Sequence, residues 1–301
     1  ESVFDPSSLG VIIESVTGFG LDERYSYRAR SRLTAERIVE YGLLQEDEKI
    51  QGLVTIASAI LPNNINEVET IRSLLIHWIG PNGARPMFGL DGARRVFEAL
   101  LDAGVRDSAT LHHFGILLAD GNEFSQAINY LNDALAVINE ERAQSHLRTE
   151  SAQNIFNSLG VVYGKYGADA AGNGNKAKAE DLYQKAIDHF RRARIGPMYT
   201  AYPYYCESMT LFLRATNLVG IERLKYIAGA FQVLDESDGN IDESGSASMS
   251  EMEAKIVRFI SELPNWAAEL KQWVATDNPM ASYLEARIQA TGSSRLGTNI
   301  D

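Results

Sequence analysis

The chain has 301 residues, 45% apolar and 23% charged, which supplies a folded core and excludes an intrinsically disordered polymer. Forty acidic residues against 28 basic ones give a formal charge of −12; the molecule repels phosphate backbones and anionic membranes, so nucleic acid is disfavoured as a partner without a local basic patch. A single cysteine, Cys206, excludes an intramolecular disulfide, leaves no sign of a structural zinc and fits a cytoplasmic setting. No apolar run reaches the ~18–20 residues of a membrane span, and no basic stretch followed by an apolar one opens the chain. It starts at Glu1 rather than a methionine, so a processed chain or a piece of a longer polypeptide is expected.

In chain order, Phe19-Gly20-Leu21-Asp22 is a turn signal, and the alternating run Arg24 to Ser31 reads as a strand, with room for a short β-hairpin. Leu33 to Tyr41 has helical periodicity. Residues 1–50 form a small segment distinct from the remainder of the chain. Glu67 to Ile79 places Val68, Ile71, Leu74, Leu75 and Trp78 on one helical face, with Asn66 as N-cap and Gly80-Pro81-Asn82-Gly83 as breaker.

From Gly92 the chain repeats itself. Ala93, Phe97 and Leu100 recur 34 positions later as Ala127, Leu131 and Ala134, on one helical face at i, i+4 and i+7. The helix Leu111 to Leu118 recurs as Phe156 to Tyr163: Leu111, Phe114, Gly115 and Leu118 correspond to Phe156, Leu159, Gly160 and Tyr163. With Ala127, Leu131 and Ala134 in one unit and Ala179, Tyr183 and Ala186 in the next, these residues resemble the tetratricopeptide repeat (TPR) family, whose 34-residue unit carries W-x2-L-G-x2-Y and then A-x3-F. The resemblance implies an all-α fold, a right-handed solenoid of antiparallel helix hairpins, here over residues 51–235. The small residues let two backbones approach, and larger ones would splay the pair.

Two departures stand out. Tyr163 and Ala179 lie seven residues further apart than the family pattern, which assigns Gly167 to Gly174 to an insertion in a helix-helix turn; deletion of Ala168 to Asn173 is then expected to be tolerated. Gly115 and Gly160 are 45 residues apart, so the helix starting near Glu123 is expected to run to about Glu141.

Downstream, Met198 to Ala215 and Val219 to Leu234 make a further helix pair of poor consensus fit. Residues 236–250, with Asp235 just before them, read as a flexible acidic loop, since Asp, Glu, Gly and Ser occur there without a basic residue. Helices are expected at Glu251–Leu263, Trp266–Val274 and Pro279–Gln289, as a C-terminal cap over 251–292 with a tail at 293–301. Near the N-terminus, Arg30, Arg32, Ala35 and Glu36 are similar to the helical or winged-helix region that precedes repeat arrays in STAND-type signalling ATPases. That resemblance implies an upstream domain of the same polypeptide and a sensor role for this chain.

The chemistry-bearing residues fall mostly to bland roles. Gly167 to Lys178 lacks a P-loop pattern and a preceding strand, and the acidic run at Asp235 lacks calcium-loop spacing. No cofactor or metal is expected: of His77, His112, His113, His146 and His189, the adjacent pair points about 100° apart on a helix. Arg28, Arg30 and Arg32 would share a strand face. Lys176, Lys178, Lys185, Arg191, Arg192 and Arg194 read as a solvated helix face, with Tyr183 and Phe190 committed to packing.

In this family the first helix of each unit lines the concave groove. The resemblance places Ala109, His112, Ile116 and Asp120 there in one unit and Asn154, Asn157, Val161 and Lys165 in the next, with Tyr202, Tyr205 and Met209 as an extension. His112 and Ile116 stand where a carboxylate-clamping pattern needs basic and amide groups, which disfavours a chaperone tail. The expected function is a non-catalytic interaction module that binds a protein or peptide partner and no membrane. Alternatives are the sensor arm of a STAND-type ATPase whose core lies outside the chain and, more remotely, an enzyme built on Cys206 and His189.

Overall fold

The computed structural model describes residues 11–16, 24–29, 46–62, 68, 85–143, 151–195, 201–238 and 253–296. The chain divides into two compact units, Glu1–Ile56 and Ala57–Asp301. The turn at 19–22, the helix at 33–41 and the acidic segment 239–250 lie outside the described residues, as does most of 66–83, where Val68 alone is described, as helical and buried.

In the first unit β1 (Val11–Val16) pairs antiparallel with β2 (Arg24–Ala29), Val11 opposite Ala29 and Val16 opposite Arg24. β2 takes up the alternating run, as its period of two predicts. Helix α1 covers Glu46–Ala59.

Every described element beyond α1 is an α-helix: α2 (Arg85–Asp102), α3 (Ser108–Asp120), α4 (Phe124–Ala143), α5 (Ala152–Gly172), α6 (Lys176–Arg194), α7 (Tyr202–Thr216), α8 (Gly220–Asp238), α9 (253–261), α10 (Trp266–Val274) and α11 (Pro279–Leu296). The helices pack in neighbouring pairs, most extensively α5 with α6, α3 with α4 and α7 with α8. Local chemistry sets their ends. Asp107 caps α3 by accepting hydrogen bonds from the Ala109 and Thr110 backbone N–H groups at 3.1 and 3.0 Å, and Ser151 caps α5 by accepting from the Gln153 N–H. Pro203 sits in the first turn of α7, where a missing N–H costs nothing.

The packed pairs are compatible with a helical repeat, and two of them share a local motif in a different register from the one read in the sequence. The turn after α3 and the turn after α5 are the same motif 52 residues apart: the Glu123 N–H donates to the Leu118 carbonyl and the Asn175 N–H to the Ala170 carbonyl, both at 2.9 Å. Asn122 (φ 63°) and Gly174 (φ 77°) hold the same left-handed position. Of the stretch assigned to an inserted turn, Gly167 to Gly172 are helix, the end of α5, and only Asn173 and Gly174 lie in the turn. Tyr163, Tyr166, Gly167 and Ala170 therefore take the places of Leu111, Phe114, Gly115 and Leu118.

Packing shows the same register. A Cβ on Gly115 would lie 2.8 Å from Leu131, and one on Gly167 would lie 2.8 Å from Tyr183; each contact spans 16 residues. The register was misread because the large-x2-large-Gly-x2-large or small pattern occurs twice on α5, seven residues apart, and seven residues are close to two helical turns, so both copies share one face. Gly160 packs instead on Phe190, whose ring carbons would lie 2.5–2.8 Å from an added Cβ.

The C-terminal helices fall where expected, with α11 continuing to Leu296 into the residues assigned to a tail. They pack on α7 and α8 around Phe212, Leu224, Phe231, Ile256, Trp266 and Leu284. The acidic run starts later than expected: Asp235, Glu236 and Asp238 are the last residues of α8, and Asp235 accepts hydrogen bonds from the Tyr283 hydroxyl and the Arg287 guanidinium of α11.

Candidate functional site

Helices α3, α5 and α7 lie side by side, each the first helix of a packed pair. Contacts advance in the same direction along both members of each adjacent pair, so the three run parallel. His112 Nε2 is 2.8 Å from Ser158 Oγ and Lys165 Nζ donates to Asp120 Oδ1 at 2.9 Å, joining α3 to α5. Gly164 lies against Thr210, and Val161 packs by Ala186, Phe190 and Cys206, joining α5 to α7.

The residues read as a groove are thereby brought onto one three-helix layer, and they divide by exposure. His112 and Asn157 are 5% and 8% exposed, buried within the layer, and the Asn157 Oδ1 has no hydrogen-bond partner. Ala109 is buried as well. Ile116, Asp120, Val161 and Tyr205 are half-buried, while Asn154, Lys165 and Tyr202 are exposed. Tyr205 packs against the Phe190–Cys206 cluster and Met209 against the C-terminal core, so the stripe expected on α7 is split between two sets of neighbours. In the corrected register, the positions equivalent to Ala109, His112, Ile116 and Asp120 are Val161, Gly164, Ala168 and Gly172. The signal that identifies them was in the sequence: Gly115 to Ala127 and Gly167 to Ala179 are both steps of 12.

Cys206 is buried, and burial pushes its thiol up to about 12, while the Tyr202 hydroxyl beside it is also pushed up to about 12, first by the thiol and then by burial. His189 stacks on Tyr163, with ring centroids 5.3 Å apart and planes at 9°, and on Phe156 at 6.0 Å. Burial and then the charge of Arg192 lower its pKa. Among the described residues, no three His, Cys, Asp or Glu side chains group to hold a metal, and no helix is long and apolar enough to cross a membrane.

Sequence reasoning missed a row of buried charges on α7. Glu207 and Arg214, seven residues apart on one helical face, are 1% and 8% exposed. Glu207 meets Arg194 at the end of α6, and Arg214 meets Glu180 near its start while lying 4.1 Å over the Tyr226 ring. Arg223 (6% exposed) donates to the carbonyls of Leu218 and Pro264 at 2.7 and 3.1 Å, tying α8 to the turn before α10. The available signal was charge at i and i+7 within the face carrying Pro203, Cys206 and Thr210.

No protein-family model matches the chain, and neither does a curated protein or a solved structure.

Proposed function

We propose that residues 57–301 form a TPR-like, right-handed solenoid that serves as a non-catalytic protein-interaction module in the cytoplasm, with the partner lying across α3, α5 and α7. The observation that carries this reading is the recurrence, 52 residues apart, of one turn and one glycine-on-large-residue contact. Side-by-side first helices of such hairpins offer a continuous surface, and this one carries exposed Asn154, Lys165 and Tyr202 beside half-buried Ile116 and Tyr205. Such a mixture of amide, charge and aromatic surface suits a protein or peptide ligand. Cys206, protonated and buried, and His189, stacked between rings, support a structural role for both.

The test is affinity capture from host lysate read by mass spectrometry, with three chains compared. The first is wild type, the second carries Asn154→Ala, Lys165→Ala and Tyr202→Ala, and the third carries Gln184→Ala and Lys185→Ala on the exposed face of α6. A partner held by the first and third and lost by the second is the expected result. Equal retention by all three would refute the placement of the site.

A further inference from the structure

The charge cluster at the end of α6 takes no part in the proposed binding surface. Glu207 of α7 is 1% exposed, a carboxylate taken out of water. From α6 it is faced by Arg194, which donates to it, and by Arg191, whose Nε lies 3.6 Å away. From α8, Glu236 takes the other side of Arg194 at 3.3 Å, and on α7 itself the Tyr204 ring lies 4.0 Å beneath the Arg194 guanidinium.

Compensation for the buried carboxylate is incomplete. Arg194 is 14% exposed, its charge is shared by two carboxylates, and its Nε is buried without a hydrogen-bond partner. Arg191 is 63% exposed, so water screens most of its attraction. A carboxylate buried under these conditions binds a proton more readily than one in water.

We infer that Glu207 is a proton-operated latch at the junction of α6, α7 and α8, which tightens on mild acidification when the carboxylate takes up a proton. The neutral acid still accepts from Arg194 through its carbonyl oxygen, and Arg194 is left to Glu236. Burial raises the Glu207 pKa, Arg194 and Arg191 oppose the rise, and Glu236 adds to it. A proton held more tightly in the folded chain than in the unfolded one gives stabilisation that is complete below the ordinary glutamate range and is lost as pH rises through the folded value.

Unfolding midpoints of the full chain and of Glu207→Gln, compared from about pH 7.5 down to about pH 5, read this linkage directly. Glutamine imitates the neutral acid, so the variant should melt higher than wild type at the upper end, with the difference closing on acidification. A difference independent of pH, or a wild type more stable at the upper end, would overturn the latch. Carbon-13 carboxyl titration of wild type needs no folded Glu207 variant. One glutamate should titrate above the rest, and Glu236→Gln should bring its midpoint down by leaving Arg194 unshared; glutamates all titrating in the ordinary range would overturn the inference as well.

Discussion

Hairpins α3/α4 and α5/α6 share one turn, but they differ in how far their helices run together. In the first, a 13-residue helix meets one of 20 residues; in the second, 21 residues meet 19. The extra length of α5 lies at its start, residues 152–159, which add about 12 Å at 1.5 Å per residue. Those turns are held at both sides: Gln153 donates to the Ala193 carbonyl at the end of α6, and Ser158 meets His112 of α3. The turn and the close approach next to it therefore define the unit, while helix length outside them is free to change in steps that keep the apolar face inward.

The likeness of the two hairpins should suffer most from deletion of Ala168 to Asn173. These residues are the last turns of α5 and part of the shared turn, and Ala170 is 4% exposed. The deletion should therefore cost the cooperative unfolding transition and much of the helical circular-dichroism signal, the reverse of what an inserted loop would show. Next in size is Gly160→Leu. Its side chain would run into the Phe190 ring, and overpacking of this kind costs about 1–3 kcal/mol; the melting temperature should fall clearly, and an unchanged value would contradict the close approach of α5 and α6.

An effect of comparable size and opposite sign probes the equivalence of Tyr183 and Leu131. The Tyr183 hydroxyl is buried without a partner, and burial raises its pKa. Removing an unsatisfied buried hydroxyl relieves a penalty of about 1–3 kcal/mol, so Tyr183→Phe should raise the unfolding midpoint in urea. The smallest effect is expected from Lys165→Ala, because its bridge to Asp120 is 47% and 20% exposed and such pairs contribute about 0–1 kcal/mol. A loss well beyond that would mean that the α3–α5 seam depends on this pair.

The helices that carry the candidate surface were legible, but which of their residues are exposed was not. His112, Ile116 and Asp120 were placed on the correct helix because their unit has the ordinary turn length. Asn154, Asn157 and Lys165 were assigned through a motif that α5 carries twice, so they lie on the right helix but seven residues from the equivalent positions. Sequence could not tell that His112 and Asn157 are buried, since burial there depends on α5 lying between α3 and α7. The Glu207–Arg194 and Arg214–Glu180 contacts were equally hidden, because each joins residues of different helices.

Periodicity and capping act within a few residues, so the order of amino acids was enough to set most of the helices and their apolar faces, but it left α1 unread and stopped α5, α8 and α11 short of their ends. It also required that a small residue face a large one across a tight hairpin. Which glycine meets which ring was left to the assembled fold, since two positions seven apart on one helix are nearly equivalent until the opposing helix is in place. The location of buried charge was left to it as well: desolvation is set by everything that surrounds a group, and for Glu207 those surroundings come from α6 and α8.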